Sequence, residues 1–133
     1  MLHSDNLLRR WWPTMLVTAA ILYAVLTPNP PAPEGLVLFE GADKVVHAVM
    51  MGTLVAAALV DLQRGGMGRR RPVASRALVV AWVMAFGVLT ELMQSALTDN
   101  RTADIADVGG DWAGTLLVGL PIAIFQINKL KKP

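Results

Sequence analysis

One stretch of the chain gathers groups able to move protons or hold cations. ELMQSALTDNRTADIADVGGD, from Glu91 to Asp111, carries five acids, one arginine and a glutamine between two apolar runs, ALVVAWVMAFGVLT and WAGTLLVGLPIAIF. A second stretch, DKVVH, sets Asp43 and His47 four residues apart beside Lys44. Residues three or four apart share one face of a helix. Asp43 and His47, with Met51 one turn deeper, therefore form one polar stripe, Glu91 and Gln94 a second, and Asp107, Asp111 and Gly114 a third. A carboxyl group in apolar company must either pair with a cation, here Arg101 or Lys44, or keep its proton. Glu91 is in that position, because it lies towards the C-terminal end of its run, where the helix dipole gives a negative charge no help. Asp43 and Asp107 sit near helix starts, where the dipole favours them. His47 and Glu91 are accordingly the candidate proton-exchanging pair. Asp43, Lys44, Gln94, Arg101, Asp104, Asp107 and Asp111 are the candidate ligand-binding groups, with Arg101 a fork for phosphate or carboxylate. Asp107 and Asp111 repel strongly where water is excluded, and a divalent cation between them would remove the conflict.

Composition narrows the chemistry. There is no cysteine, and the only histidines are His3 and His47, so thiolate sites, disulfides and sites needing several imidazoles are excluded. One histidine with carboxylates is a thin basis for zinc, which takes three protein ligands or more. DNRTADIAD lacks the alternate-residue spacing of an EF-hand calcium loop. No Ser-His-Asp or Cys-His arrangement can be read from the spacing.

The elements that must position these groups are apolar helices. The 133 residues are 54% hydrophobic and only 17% charged, too little charge to cover a soluble domain of that size. Four runs, 11–27, 45–62, 74–97 and 108–127, approach the roughly 17–25 apolar residues that cross a bilayer. Pro13 suits a first helical turn, Pro28 ends the first run, and Pro121 predicts a bend in the fourth. With the N-terminus in the cytoplasm, ten of the twelve lysines and arginines fall on the cytoplasmic side and eight of the ten acids on the other, as the positive-inside rule requires. A cleaved signal peptide is the competing reading of the first run, but no small-x-small site precedes the prolines. A soluble bundle would show a polar stripe that the first and third runs barely have. The turn QRGGMGRRRP reads as a topology signal meeting anionic lipid heads rather than nucleic acid. No repeat, heptad seam or low-complexity tract stands out beyond the prolines. Gly110 with Gly114, and Gly87 near Glu91, allow close helix approach.

DKVVH, ELMQ and RTADIADVGGDWAG, in that order, resemble the VanZ-like family of small bacterial membrane proteins, named after a teicoplanin-resistance determinant. The family pattern runs Asp-Lys-x-x-His, then Glu-x-x-Gln, then Arg, Asp and Asn-x-x-Gly. The resemblance covers Ala42 to Gly119, and Asp43, Lys44, His47, Glu91, Gln94, Arg101, Asp107 and Gly114 match it. Asp111 stands where the family usually has asparagine, and Met51 where an aromatic is common. The resemblance implies an association with low-level glycopeptide resistance and supplies no reaction.

The expected protein is all-α, a single domain over residues 1–133 forming a four-helix transmembrane bundle of the bacterial cytoplasmic membrane with both termini cytoplasmic. A polar site opens to the extracytoplasmic side. Its partners are membrane lipids and a lipid-linked precursor, phospholipid head group or glycopeptide antibiotic. The other reading is a non-catalytic accessory protein whose polar cluster holds the bundle or docks a partner. An ion path is disfavoured, since the inner halves of the runs offer only Asp61 and Arg76 near their ends.

Overall fold

The computed structural model describes residues 2–27, 42–66, 68–97 and 105–133, and among them it contains four α-helices and no strand. They are α1 (Leu2–Leu26), α2 (Ala42–Arg64), α3 (Pro72–Leu97) and α4 (Ile105–Lys131). Each of the four expected runs becomes a helix, extended beyond its apolar part into the polar flanks. α3 begins on Pro72, a position where the missing N–H costs nothing. The turn before it places Gly66 and Gly68 at φ of 68° and 76°, which other residues adopt only at a cost. Asp107 in the first turn of α4 and Lys129 and Lys131 in its last complement the helix dipole. α4 runs unbroken through Pro121.

Two expectations change. Pro13 lies well inside α1 instead of in its first turn, because the helix already starts at Leu2. Among the described residues, three helices rather than four are long and apolar enough to cross a membrane: Lys44–Arg64 within α2, and all of α3 and α4. Arg9, Arg10, Trp11, Trp12 and Pro13 dilute the first half of α1.

α2 occupies the centre, packing most extensively on α4 and touching α1 and α3 as well. Neighbouring contacts give the directions. Lys44, Ala48, Gly52 and Val55 meet Gly110, Gly114, Val118 and Gly119 in step, so α2 and α4 run parallel. α1 and α3 run the other way, since Thr14 meets Asp61 and Arg76 meets Gln126. A Cβ on Gly110 would stand 2.9 Å from the Lys44 carbonyl oxygen, and one on Gly114 would overlap the Ala48 backbone. Those two glycines therefore let α4 lie directly against the backbone of α2, the small-residue packing anticipated from their spacing.

The buried faces are regular. On α2 they include His47, Met51, Leu54, Ala58 and Asp61, and on α3 Arg76, Val80, Val83, Gly87, Thr90 and Gln94, each set at alternating steps of three and four. A 3–4 seam is thus present where none stood out in the sequence. Apolar residues on every other face, such as Leu78, Trp82, Leu89, Leu117 and Phe125, hide it, and all five are exposed on the bundle surface. Both stripes are polar at their ends and apolar in the middle.

Candidate functional site

At the end where α2 and α4 begin and α3 finishes, three helices bring polar side chains to one point. α2 contributes His47, α3 Glu91, and α4 Asp107 and Asp111, each from the stripe expected of it. Asp111 has no exposed surface and Glu91 is 3% exposed, so both carboxyl groups lie inside the bundle.

His47 is the hub. Its Nδ1 lies 2.9 Å from Asp111 Oδ1, and its Nε2 lies 3.9 Å from Asp107 Oδ2. With Asp111 in its ionised form, which can only accept, the donor of this bond is Nδ1–H. The two aspartates expected to share a cation thus flank the imidazole, one at each nitrogen. Glu91 completes the group: one atom each of His47, Glu91 and Asp107 lie within 4.8 Å of one another. The second oxygen of Asp111 is buried and makes no hydrogen bond. It is packed against Gly87, where a Cβ would come within 3.1 Å of it. Glycine at that position is what lets α3 pass close to the buried carboxylate.

The other expected residues divide. Gln94 lies on the stripe but directs its Nε2 to the Val25 carbonyl at 3.1 Å, tying α3 to the end of α1. Lys44 is half-buried, and its backbone is what Gly110 packs against. Asp43 is in the first turn of α2, its side chain outside the description, and Arg101 and Asp104 lie outside the described residues. Trp112 adds a tie not anticipated, its indole N–H donating to the Met84 carbonyl at 3.1 Å. Further along the buried stripes from the site lie Met51 on α2 and Val83 on α3, both fully buried. His47 and Asp107 keep 10% and 14% of their side-chain surface, so access is from their edge.

A second polar layer sits at the opposite end of the bundle. Asp61 Oδ2 accepts from the Thr14 hydroxyl at 2.6 Å and from the Thr14 amide at 3.1 Å, while Arg64 stands 3.7 Å from its other oxygen. The amide is the one following Pro13, whose ring disturbs the helical ladder there. Arg76, 1% exposed, donates to Gln126 and Gln63 side chains, to Ser75 Oγ and to the Gly68 carbonyl. Gln126 in turn donates to the Leu59 carbonyl. Sequence reading placed Asp61 and Arg76 near the span ends without burying them. Their positions on the stripes running from His47 and Gln94 were the available signal.

No family model, curated protein or solved structure matches the chain. The class that fold and site define is therefore a helical bundle with three membrane-length helices and a buried histidine–carboxylate cluster at one end.

Proposed function

We propose that this is a VanZ-like integral membrane protein of the bacterial cytoplasmic membrane, with both termini cytoplasmic and the His47 cluster at the extracytoplasmic end. There it binds or acts on an amphiphile: an envelope lipid, a lipid-linked cell-wall precursor or a glycopeptide antibiotic. In this reading α1, whose polar first half keeps it below the hydropathy of the other three, crosses as a fourth span packed mainly against α2. The observation that carries the reading is the convergence of His47, Glu91, Asp107 and Asp111 from three helices inside an apolar bundle. Ionisable groups at membrane depth are costly and face functional cavities or one another. The cluster's access at the His47 and Asp107 edge would admit a polar head group, with its apolar part remaining among the exposed side chains of the bundle. Glu91 and His47 exchange protons with the bound group. The middle of the bundle argues against transport, since Met51, Leu54, Val55, Val80, Val83 and Phe86 fill it between the two polar layers.

A second reading has its own observation. The His47–Asp111 and Gln94–Val25 bonds join separate helices, as a purely structural cluster would. Expression in a teicoplanin-susceptible bacterium separates the two. Functional chemistry predicts that the chain raises the inhibitory teicoplanin concentration and that Glu91→Gln abolishes the effect at unchanged membrane abundance. A structural cluster predicts that Glu91→Gln depletes the protein from the membrane.

A further inference from the structure

We propose that His47, Glu91 and Asp107 bind one divalent transition-metal ion, zinc being the best match to the donors, and that Asp111 positions the histidine for it. The inference shares the location of the site with the functional reading above but not its ligand.

The donor geometry comes first. One atom from each of the three side chains lies within 4.8 Å of the other two, with the His47 Nε2 to Asp107 Oδ2 separation at 3.9 Å. Zinc bonds of roughly 2.0–2.2 Å set tetrahedral donors up to about 3.5 Å apart, so side-chain rotation over about 1 Å brings this group into coordination. Nitrogen with two carboxylate oxygens suits zinc or its transition-metal neighbours, whereas calcium and magnesium call for more oxygen ligands.

The histidine supplies an independent observation. A ligating imidazole characteristically donates its other N–H to a carboxylate, which fixes the tautomer and aims the ring. Here Asp111, wholly buried, lies 2.9 Å from Nδ1, and Nε2 stands 3.9 Å from Asp107 Oδ2. A histidine kept only to tie helices together is satisfied by Asp111. The α4 carboxylate at its second nitrogen, with Glu91 of α3 within 4.8 Å in the same group, points instead to a cation.

The scaffold holds the donors in place. Gly110 and Gly114 lock α4 against the backbone of α2, and Gly87 brings α3 onto the Asp111 side chain, so the three ligating helices are positioned by close packing rather than by loops. Three protein ligands leave a coordination position open, on the partly exposed His47 and Asp107 edge, as in zinc sites that do chemistry. With the ion bound, His47 is a ligand, and acid–base work passes to that open position.

The test uses the full chain purified in detergent. Metal analysis and titration with zinc should give one ion per chain, and cobalt in its place should produce visible absorption of a four-coordinate nitrogen–oxygen site. His47→Ala and Asp107→Asn should weaken zinc binding at least 100-fold. Asp111→Asn, which leaves all three ligands in place, should weaken it about 10- to 100-fold. Gly109→Ala, at a position with nothing within 4 Å of the added methyl, should bind as the parent does. A parent chain that takes up neither zinc nor cobalt at tenfold excess overturns the proposal, as does His47→Ala with unchanged stoichiometry. Should His47→Ala fail to fold, the cobalt spectrum of the unaltered chain decides alone. If no metal binds while Glu91→Gln still abolishes the teicoplanin effect, the ion falls and the functional reading stands. Zinc bound without any teicoplanin effect gives the reverse.

Discussion

The Asp111 carboxylate is the residue on which the site turns. It is buried without exposed surface, spends one oxygen on His47 and packs the other against Gly87. Asparagine there would still accept from Nδ1–H through its amide oxygen but would bring no charge. Asp111→Asn should therefore cost less stability than Asp111→Ala, which leaves the ring without an acceptor. A double-mutant cycle with His47→Ala and Asp111→Ala in detergent, with metal chelated, should give a coupling of about 1–3 kcal/mol. Additive losses would mean that the two side chains do not interact. The meeting of these residues was legible because each sits on a stripe of its own helix at spacings of three or four. Their pairing was not. Spacing fixes which residues share a face but not how helices rotate against each other, so Asp111 was matched with Asp107 on its own helix when its partner is on α2.

At the scale of elements, the α2–α4 contact sets everything else. A side chain on Gly114 would collide with the Ala48 backbone, which cannot swing aside as a flexible side chain can. Gly114→Ala should consequently destabilise the bundle by about 1–3 kcal/mol through overpacking. It should also displace Asp111 from His47, since both α4 residues lie within one turn. Gly109→Ala on the same helix meets open space, and the gain in helix propensity should stabilise it by up to about 1 kcal/mol. Thermal unfolding in detergent gives both signs. Helix existence was legible from apolar runs alone, whereas starts and ends were not. Hydropathy places Asp61 and Arg76 near the inner ends of their runs but cannot show that they complete the buried stripes of α2 and α3. α1 extends back to Leu2, since polar residues shorten an apolar run without ending a helix.

The whole molecule is a bundle with a polar layer at each end, an apolar core between them and an apolar exterior. Asp61 and Arg76 belong to one layer and His47, Glu91, Asp107 and Asp111 to the other, while Leu78, Leu117 and Phe125 face outwards from α3 and α4. That surface is suited to lipid, and the excess of lysine and arginine beyond the Asp61 end is what the proposed cytoplasmic placement of that end rests on. The absence of native cysteine permits the decisive measurement, single introduced cysteines exposed to a membrane-impermeant maleimide in intact cells. Ile105, 90% exposed at the start of α4, and Pro133 at the far end are suitable positions; Gly66 is not, because its positive φ strains any replacement. Labelling of Ile105→Cys in intact cells, with Pro133→Cys labelled only after lysis, is the predicted result. Labelling of Pro133→Cys but not Ile105→Cys before lysis would place the His47 cluster on the cytoplasmic side and contradict the account.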